Sequence, residues 1–215
     1  TAALVTSGSL VEVSEATATI TDADGAARNA THLSAIGAKT TGTVTVTNAV
    51  AISGNTSEST AALVTSGSLV EVSDATVTLS DNPSISALNA IAAKTTGVLT
   101  ATLAADSLSN LGSLTTAGTD AITITVNDAD AASVTAANLS TLGGKTSGTV
   151  TVTNAVAISG SRAEATAALV TSGSLVEVSD ATVTINDADG VALNATDLSA
   201  IGAKTTGTVT VSNAV

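Results

Sequence analysis

The sequence of 215 residues contains no cysteine, methionine, phenylalanine, tyrosine or tryptophan, and it contains a single proline. Without cysteine, the chain can form no disulfide framework and has no thiol chemistry. Aromatic side chains normally bury the most area per residue in a globular core. Here every apolar side chain is Ala, Val, Leu or Ile. This composition favours a thin, repetitive interior over an ordinary globular core.

Positive charge is also scarce, because six Lys and Arg residues stand against 18 Asp and Glu residues, for a net charge of −12. No basic stripe is present to neutralise phosphates, so nucleic-acid binding is not expected. Charged residues make up only 11% of the chain, and Thr, Ser and Asn must therefore supply most of the polar surface. No apolar run reaches the roughly 18 residues of a membrane-spanning helix, so membrane insertion is not expected either.

Internal repeats are the strongest feature of the sequence. Residues 1–50 match residues 166–215 at 43 of 50 positions, which defines a super-repeat of 165 residues. The phrase TAALVTSGSLVEVS occurs three times, at residues 1–14, 60–73 and 166–179. We interpret residues 1–215 as one continuous repeat array. Its parts are a two-coil module, a four-coil module and the start of the next super-repeat, at residues 1–59, 60–165 and 166–215.

A shorter period lies inside the super-repeat. Glycines in a TTG- or TSG-like context recur at intervals of 21 to 34 residues. Each interval contains one T-x-T segment with period-two alternation, as in Thr43-Val44-Thr45-Val46-Thr47, which is typical of a half-buried strand. Many intervals also contain the motif L-x-x-[IL], whose spacing places both apolar side chains on one face of a helical turn.

These periods predict an all-β fold with short helical turns, namely a β-solenoid of about eight stacked coils of 21–34 residues. Each coil would add one T-x-T rung to a shared sheet. A column of outward threonines also suggests an ice-binding face as a further alternative, although threonine is simply a strong strand former.

Acidic turns follow several of the predicted strands. Alternating carboxylates and turn carbonyls are suitable ligands for Ca²⁺, but Asp also forms turns for backbone reasons alone. The sequence leaves both interpretations open, and no other cofactor is expected. The candidate calcium ligands are Asp22, Asp24, Asp128, Asp130, Asp187 and Asp189.

No arrangement typical of catalysis is present. The segment Gly144-Lys145-Thr146 would need a glycine at position 139 to form a phosphate loop, and that position is Leu139. The only histidine, His32, is replaced one super-repeat later by Asp197, so a recurring catalytic triad is not expected. We therefore predict that the chain is not an enzyme.

The phrases NLSTLGGKTSGTVTVTNA, at residues 138–155, and DLSAIGAKTTGTVTVSNA, at residues 197–214, share the motif D-L-x-x-I-x-x-K-T-[TS]-G-x-V with small variations. This motif resembles the tandem repeats of very large secreted cell-surface proteins of marine cyanobacteria and related bacteria. The motif recurs through residues 32–46, 87–97, 138–152 and 197–211. The resemblance implies an extracellular or cell-surface location, a structural role and no catalytic residue.

Together these features predict a non-catalytic extracellular protein that forms a filament, sheath or surface coat. The alternative is an adhesin stalk that presents a ligand domain outside this chain, stabilised by calcium if the acidic turns bind it. Both ends of the chain match interior sequence. We therefore expect either that the repeats continue in a longer chain or that copies associate end to end or laterally.

Overall fold

The computed structural model describes residues 14–65, 67 and 70–213. Its contacts divide the chain into two units, Thr1–Thr102 and Leu103–Val215. The described residues form a mixed α/β fold with 14 strands and seven helices. The prediction of an all-β β-solenoid of about eight stacked coils is therefore wrong. Its error was to treat the apolar L-x-x-[IL] segments as single helical turns, whereas six of the seven helices in the described residues are eight residues long.

The first unit alternates strands and helices from its first described residues onward. Its strands are β1 (Ala18–Ile20), β2 (Ala27–Asn29), β3 (Val44–Val46), β4 (Ala51–Gly54), β5 (Val70–Val72), β6 (Thr76–Leu79) and β7 (Leu99–Thr102). Its helices are α1 (Ala30–Gly37), α2 (Thr56–Leu63) and α3 (Ile85–Ala92).

The second unit has the same kind of alternation. Its strands are β8 (Ala121–Val126), β9 (Ser133–Thr135), β10 (Val150–Val152), β11 (Ala157–Gly160), β12 (Val176–Val178), β13 (Thr182–Ile185) and β14 (Val209–Val211). Its helices are α4 (Leu108–Leu111), α5 (Ala136–Gly143), α6 (Arg162–Leu169) and α7 (Ala195–Gly202). None of the helices in the described residues is long and apolar enough to cross a membrane.

Within each unit the strands form two ladders of parallel pairs. In the first unit, ladder A has the order β1-β3-β5 and ladder B has the order β2-β4-β6-β7. In the second unit, ladder C has the order β8-β10-β12 and ladder D has the order β9-β11-β13-β14. Parallel neighbours require a crossover connection, which the helices supply.

Local sequence explains where the helices begin. Each begins after an Asn, Ser or Thr whose side-chain oxygen accepts a hydrogen bond from a backbone N–H of the first turn. Helices α2 and α6 also have a full capping box, formed by Asn55 with Glu58 and by Ser161 with Glu164. Sequence reasoning missed these two helices, although the N-x-x-E and S-x-x-E spacing before alanine-rich segments is a recognisable signal.

The core is built from the predicted aliphatic positions. In α1 the L-x-x-I pair Leu33 and Ile36 is buried, and in β3 Val44 and Val46 are buried while Thr45 is half-buried. The predicted period-two alternation of the strand and the one-sided burial of the helix motif are thus confirmed here. Helices of consecutive repeats contact each other within each unit, α1 with α2 and α5 with α6.

The prediction that T-x-T strands stack in one shared sheet is wrong. In ladder A, Thr45 of β3 pairs with Thr19 on one side and with Glu71 on the other. The next T-x-T strand, β6, instead pairs with β4 in ladder B. The phrase AISG forms strands that the T-x-T pattern did not predict, and these strands take the neighbouring position. The first copy of the phrase TAALVTSGSLVEVS lies outside the described residues except for its last residue, Ser14.

Candidate functional site

The K-T-[TS]-G motif joins each repeat to the one before it. In the copy at residues 145–148, the Thr146 hydroxyl donates a hydrogen bond to the carbonyl of Ile122 at 2.7 Å. It also accepts hydrogen bonds from the backbone N–H groups of Gly148 and Ile122, both at 2.8 Å. Thr146 is 2% exposed, so these bonds lie in the interior. The first threonine of the other copies donates in the same way to the preceding repeat, Thr40 to Ala16 at 2.5 Å, Thr95 to Ala75 at 2.6 Å and Thr205 to Ala181 at 2.5 Å.

The next residue of the motif adds a second pair of bonds. Both the backbone N–H and the hydroxyl of Thr41 donate to the carbonyl of Ser14, at 2.8 and 2.7 Å. Thr96 and Thr206 bond in the same way to the carbonyls of Ser73 and Ser179, and Ser147 to that of Asp120. We call the two Thr/Ser residues and the glycine of each motif, with their carbonyl partners, the repeat clamp.

The glycine of the clamp is required by a close backbone approach. A Cβ at Gly42 would lie 2.6 Å from the carbonyl oxygen of Ala16, which is closer than real Cβ contacts come. Gly97, Gly148 and Gly207 face Ala75, Ile122 and Ala181 in the same way. The T-[TS]-G part of the motif therefore has a structural explanation.

The second aspartate of two acidic turns bonds to the turn of the next repeat. The backbone N–H of Ala49 donates to Asp24 Oδ1 at 3.1 Å, and the Asn48 side-chain amide donates to the carbonyl of Asp22 at 2.5 Å. In the second unit, the equivalent bonds join Ala155 to Asp130 and Asn154 to Asp128, and the amide of Asn213 donates to the carbonyl of Asp187.

The first aspartate of two acidic turns instead accepts a hydrogen bond from the helix of the preceding repeat. Asp128 Oδ2 accepts the N–H of Leu108, the first residue of α4, at 2.7 Å. Asp187 Oδ2 accepts the N–H of Arg162, the first residue of α6, also at 2.7 Å. A carboxylate at this place satisfies a free N–H and interacts favourably with the positive end of the helix dipole.

Asp81 holds the start of α2 in the same manner. Its Oδ1 accepts both the backbone N–H of Thr56 at 2.8 Å and the Thr56 hydroxyl at 2.6 Å. The hydrogen bond from that hydroxyl lowers the pKa of Asp81 below its ordinary value, and burial opposes the shift.

Asp22 differs from the other first aspartates because its carboxylate forms an ion pair with Arg28. Arg28 Nε donates to Asp22 Oδ2 at 2.6 Å, and this hydrogen bond lowers the pKa of Asp22. The same bond raises the pKa of Arg28. The sixth calcium candidate, Asp189, is exposed in the turn that contains Asp187.

The candidate calcium ligands therefore lie in equivalent turns, and hydrogen bonds from the protein reach the carboxylates of Asp22, Asp24, Asp128, Asp130 and Asp187. Within residues 14–65, 67 and 70–213, no three His, Cys, Asp or Glu side chains gather in a way that could hold a metal ion. The calcium hypothesis stays a prediction, and the hydrogen bonds give the aspartates a separate structural role.

The remaining candidate side chains lie apart from one another. His32 is exposed on α1, and its counterpart Asp197 on α7 forms an ion pair with Arg162 on α6. The lysines of the K-T-[TS]-G motifs are exposed except for Lys145, which is half-buried. An open groove of about 520 Å³ runs along β3 and β5 beside Glu71, and one of about 500 Å³ occupies the equivalent place along β10 and β12.

Sequence reasoning found the motif and the acidic turns but not their partners. The missing signal was the long-range register, since each bond joins residues about one repeat apart. The repeated phrase TNAV, which supplies Asn48 and Asn154, offered a clue, because it recurs together with the acidic turns.

Comparison with known proteins found no relative of this chain. No protein-family model, no curated protein and no solved structure matches the chain.

Proposed function

We propose that this chain is a non-catalytic structural segment of a secreted cell-surface protein, and that its repeats build part of a surface coat. The observation that carries the proposal is the repeat clamp. It occurs four times in the described residues, each time with a Thr/Ser pair as donors, backbone carbonyls of the preceding repeat as acceptors and a glycine at the same position.

The use of polar side chains supports a structural role. Buried polar groups are stable only when they are hydrogen-bonded, and here Thr146 and its equivalents are bonded to the backbone of a neighbouring repeat. The carboxylates of Asp128 and Asp187 are likewise bonded to helix N-termini. The side chains that would otherwise be candidates for chemistry thus hold one repeat to the next.

The surface chemistry is consistent with a coat. A net charge of −12 with only six basic residues keeps a protein soluble and disfavours non-specific binding to nucleic acid. Joints made largely of short neutral side chains and backbone groups also depend little on ionic strength, because salt screens charge pairs and not neutral hydrogen bonds.

Immunogold electron microscopy of cells that make this protein tests the location and the role together. Antibodies against the chain should label a continuous layer outside the cell envelope. Replacing the gene with one that encodes Thr146→Val and Thr95→Val should thin or remove the layer, whereas the strand variant Thr151→Val should leave it intact. Label confined to the cytoplasm would overturn the proposal, and isolated surface projections would favour a stalk.

A further inference from the structure

Strands β5 and β12 end the ladders in which they lie. In the described part of the chain, β5 pairs only with β3 in ladder A, and β12 pairs only with β10 in ladder C. The outer edge of such a strand presents backbone N–H and C=O groups that form a template for another strand. Both strands are therefore places where a second protein chain could add.

One position distinguishes these edge strands from the inner strands of their ladders. In ladder A the paired row reads Thr19, Thr45, Glu71. In ladder C the equivalent row reads Thr125, Thr151, Glu177. The inner strand β3 has the sequence V-T-V and the edge strand β5 has V-E-V, so glutamate replaces threonine where the ladder ends, and the same is true of β10 and β12.

The rest of each edge remains suited to strand addition. The two valines of β12 keep the register of those in β10, and Val176 is buried. The residue before β12, Leu175, has a positive φ of 51° and a side chain that is 37% exposed. An exposed apolar residue therefore directly precedes this edge strand.

Glutamate changes the energetics of adding a strand at this edge. Glu71 and Glu177 are exposed, and neither has an ion-pair partner within the described ranges. Lys94 and Lys204 line the same grooves as Glu71 and Glu177 but form no ion pair with them. A strand laid against either glutamate would remove water from its carboxylate and bring no cation of its own. Pairing of two such edges from different copies would also bring like charges close together, which is unfavourable.

We propose that Glu71 and Glu177 close β5 and β12 to a strand from a second copy of this chain. The strand that would fit is the chain's own V-T-V type, because such strands already fill the inner positions of both ladders. This inference concerns association between copies and does not depend on the cell-surface role.

Sedimentation velocity of the whole chain, over a wide range of concentration at neutral pH, tests the proposal. The double variant Glu71→Thr and Glu177→Thr restores the inner-strand sequence, and its self-association should tighten by about tenfold or more relative to the wild type. The double variant Glu71→Lys and Glu177→Lys keeps a charge at each edge and should associate no more than the wild type.

A matched control separates the edge effect from a general loss of charge. Asp74 and Asp180 are exposed, lie just beyond the edge strands and make equivalent bonds with Ser73 and Ser179. The double variant Asp74→Asn and Asp180→Asn removes the same two negative charges and should behave as the wild type.

Two results would overturn the proposal: a threonine variant that associates no more than the wild type, and an asparagine variant that associates as strongly as the threonine variant. Urea unfolding of each variant checks that it is folded. If the threonine variant does not fold, the double variant Glu71→Gln and Glu177→Gln replaces it, because glutamine is neutral and similar in shape to glutamate. This variant should also associate more tightly than the wild type.

Discussion

Replacing Thr146 with valine removes the hydroxyl of one repeat clamp while keeping the shape of the side chain. The hydroxyl accepts the N–H groups of Ile122 and Gly148 and donates its one hydrogen to the carbonyl of Ile122 at 2.7 Å, with the carbonyl of Asp120 a second acceptor at 3.0 Å. Three hydrogen bonds can therefore form at once. At a net value of about 1 kcal/mol for each bond, their loss costs about 3 kcal/mol. A buried methyl group in place of the hydroxyl returns up to about 1 kcal/mol. We expect a net loss of about 2 to 3 kcal/mol in the free energy of unfolding.

Urea unfolding followed by circular dichroism measures this loss. Thr151→Val is the control, because Thr151 is half-buried in β10 of the same unit and its hydroxyl makes no hydrogen bond within the described residues. The control should change stability by less than about 0.5 kcal/mol. Hydrogen exchange adds a local test, since the amides of Ile122 and Gly148 should lose more protection than other amides of the unit. Equal effects of the two substitutions would refute the reasoning.

Three further substitutions test local features of the fold. Ala131 has a φ of 60° where the equivalent turns have glycine, so Ala131→Gly should stabilise the protein by up to about 1 kcal/mol and Gly25→Ala, at a φ of 72°, should destabilise it by about as much, as urea midpoints can show. Within the part of the chain that the structure describes, the Ser59 hydroxyl is buried without a hydrogen-bond partner, so Ser59→Ala should stabilise the protein by about 1 kcal/mol, measured by urea unfolding. Because the pKa of Asp81 is lowered in the folded state, its contribution is complete above the pKa of the unfolded chain and is lost as pH falls through the lower, folded value. The stability difference between wild type and Asp81→Asn should therefore shrink as urea titrations move from neutral to acidic pH.

Each of these predictions has an outcome that contradicts it. A destabilised Ala131→Gly variant would mean that the left-handed backbone causes no strain at this turn. A destabilised Ser59→Ala variant would mean that the hydroxyl has a hydrogen-bond partner in solution. The equivalent position in α6 is Ala165, which shows that this site accepts alanine. A difference between wild type and Asp81→Asn that stays constant with pH would exclude the bonded carboxylate as its source.

The sequence predicted those features that depend on near neighbours along the chain. Alternation in the T-x-T segments identified the buried valines of β3, and the L-x-x-[IL] spacing identified the buried face of α1. Both patterns arise within a few residues, so local geometry is sufficient to produce them. Helix length was underestimated because only two apolar residues mark each helix, while its alanines carry no periodic signal.

Pairing between strands could not be predicted in this way. Strand β7 pairs with β6 in ladder B, although its sequence resembles that of β3 in ladder A. The choice of partner depends on which strand edge is available to β7 after the preceding helix. The last strand before that helix is β6, because V-E-V at β5 is followed directly by this second strand. The partners of the acidic turns were missed for the same reason, because an aspartate can serve a turn, a metal or a distant helix with the same local sequence.

The repeat clamp also predicts where the chain tolerates a change of length. Strands β3, β7, β10 and β14 all begin two residues after the clamp glycine. By contrast, the connection after β6 spans residues 80–84 and the one after the similar strand β13 spans residues 186–194. The constant spacing lies where a repeat contacts its neighbour, and the variable spacing lies in an exposed turn.

An inserted alanine at these two kinds of place should therefore have different costs. Between Gly148 and Thr149 it would shift β10 by one residue relative to its partners, turning Val150 and Val152 outward and Thr151 inward. Exposing two buried valines costs about 3 kcal/mol or more. The same insertion after Ala192, in the exposed turn, should cost less than about 1 kcal/mol. Urea midpoints of the two variants measure the difference, and similar values would mean that the clamp does not fix the register of the strand that follows it.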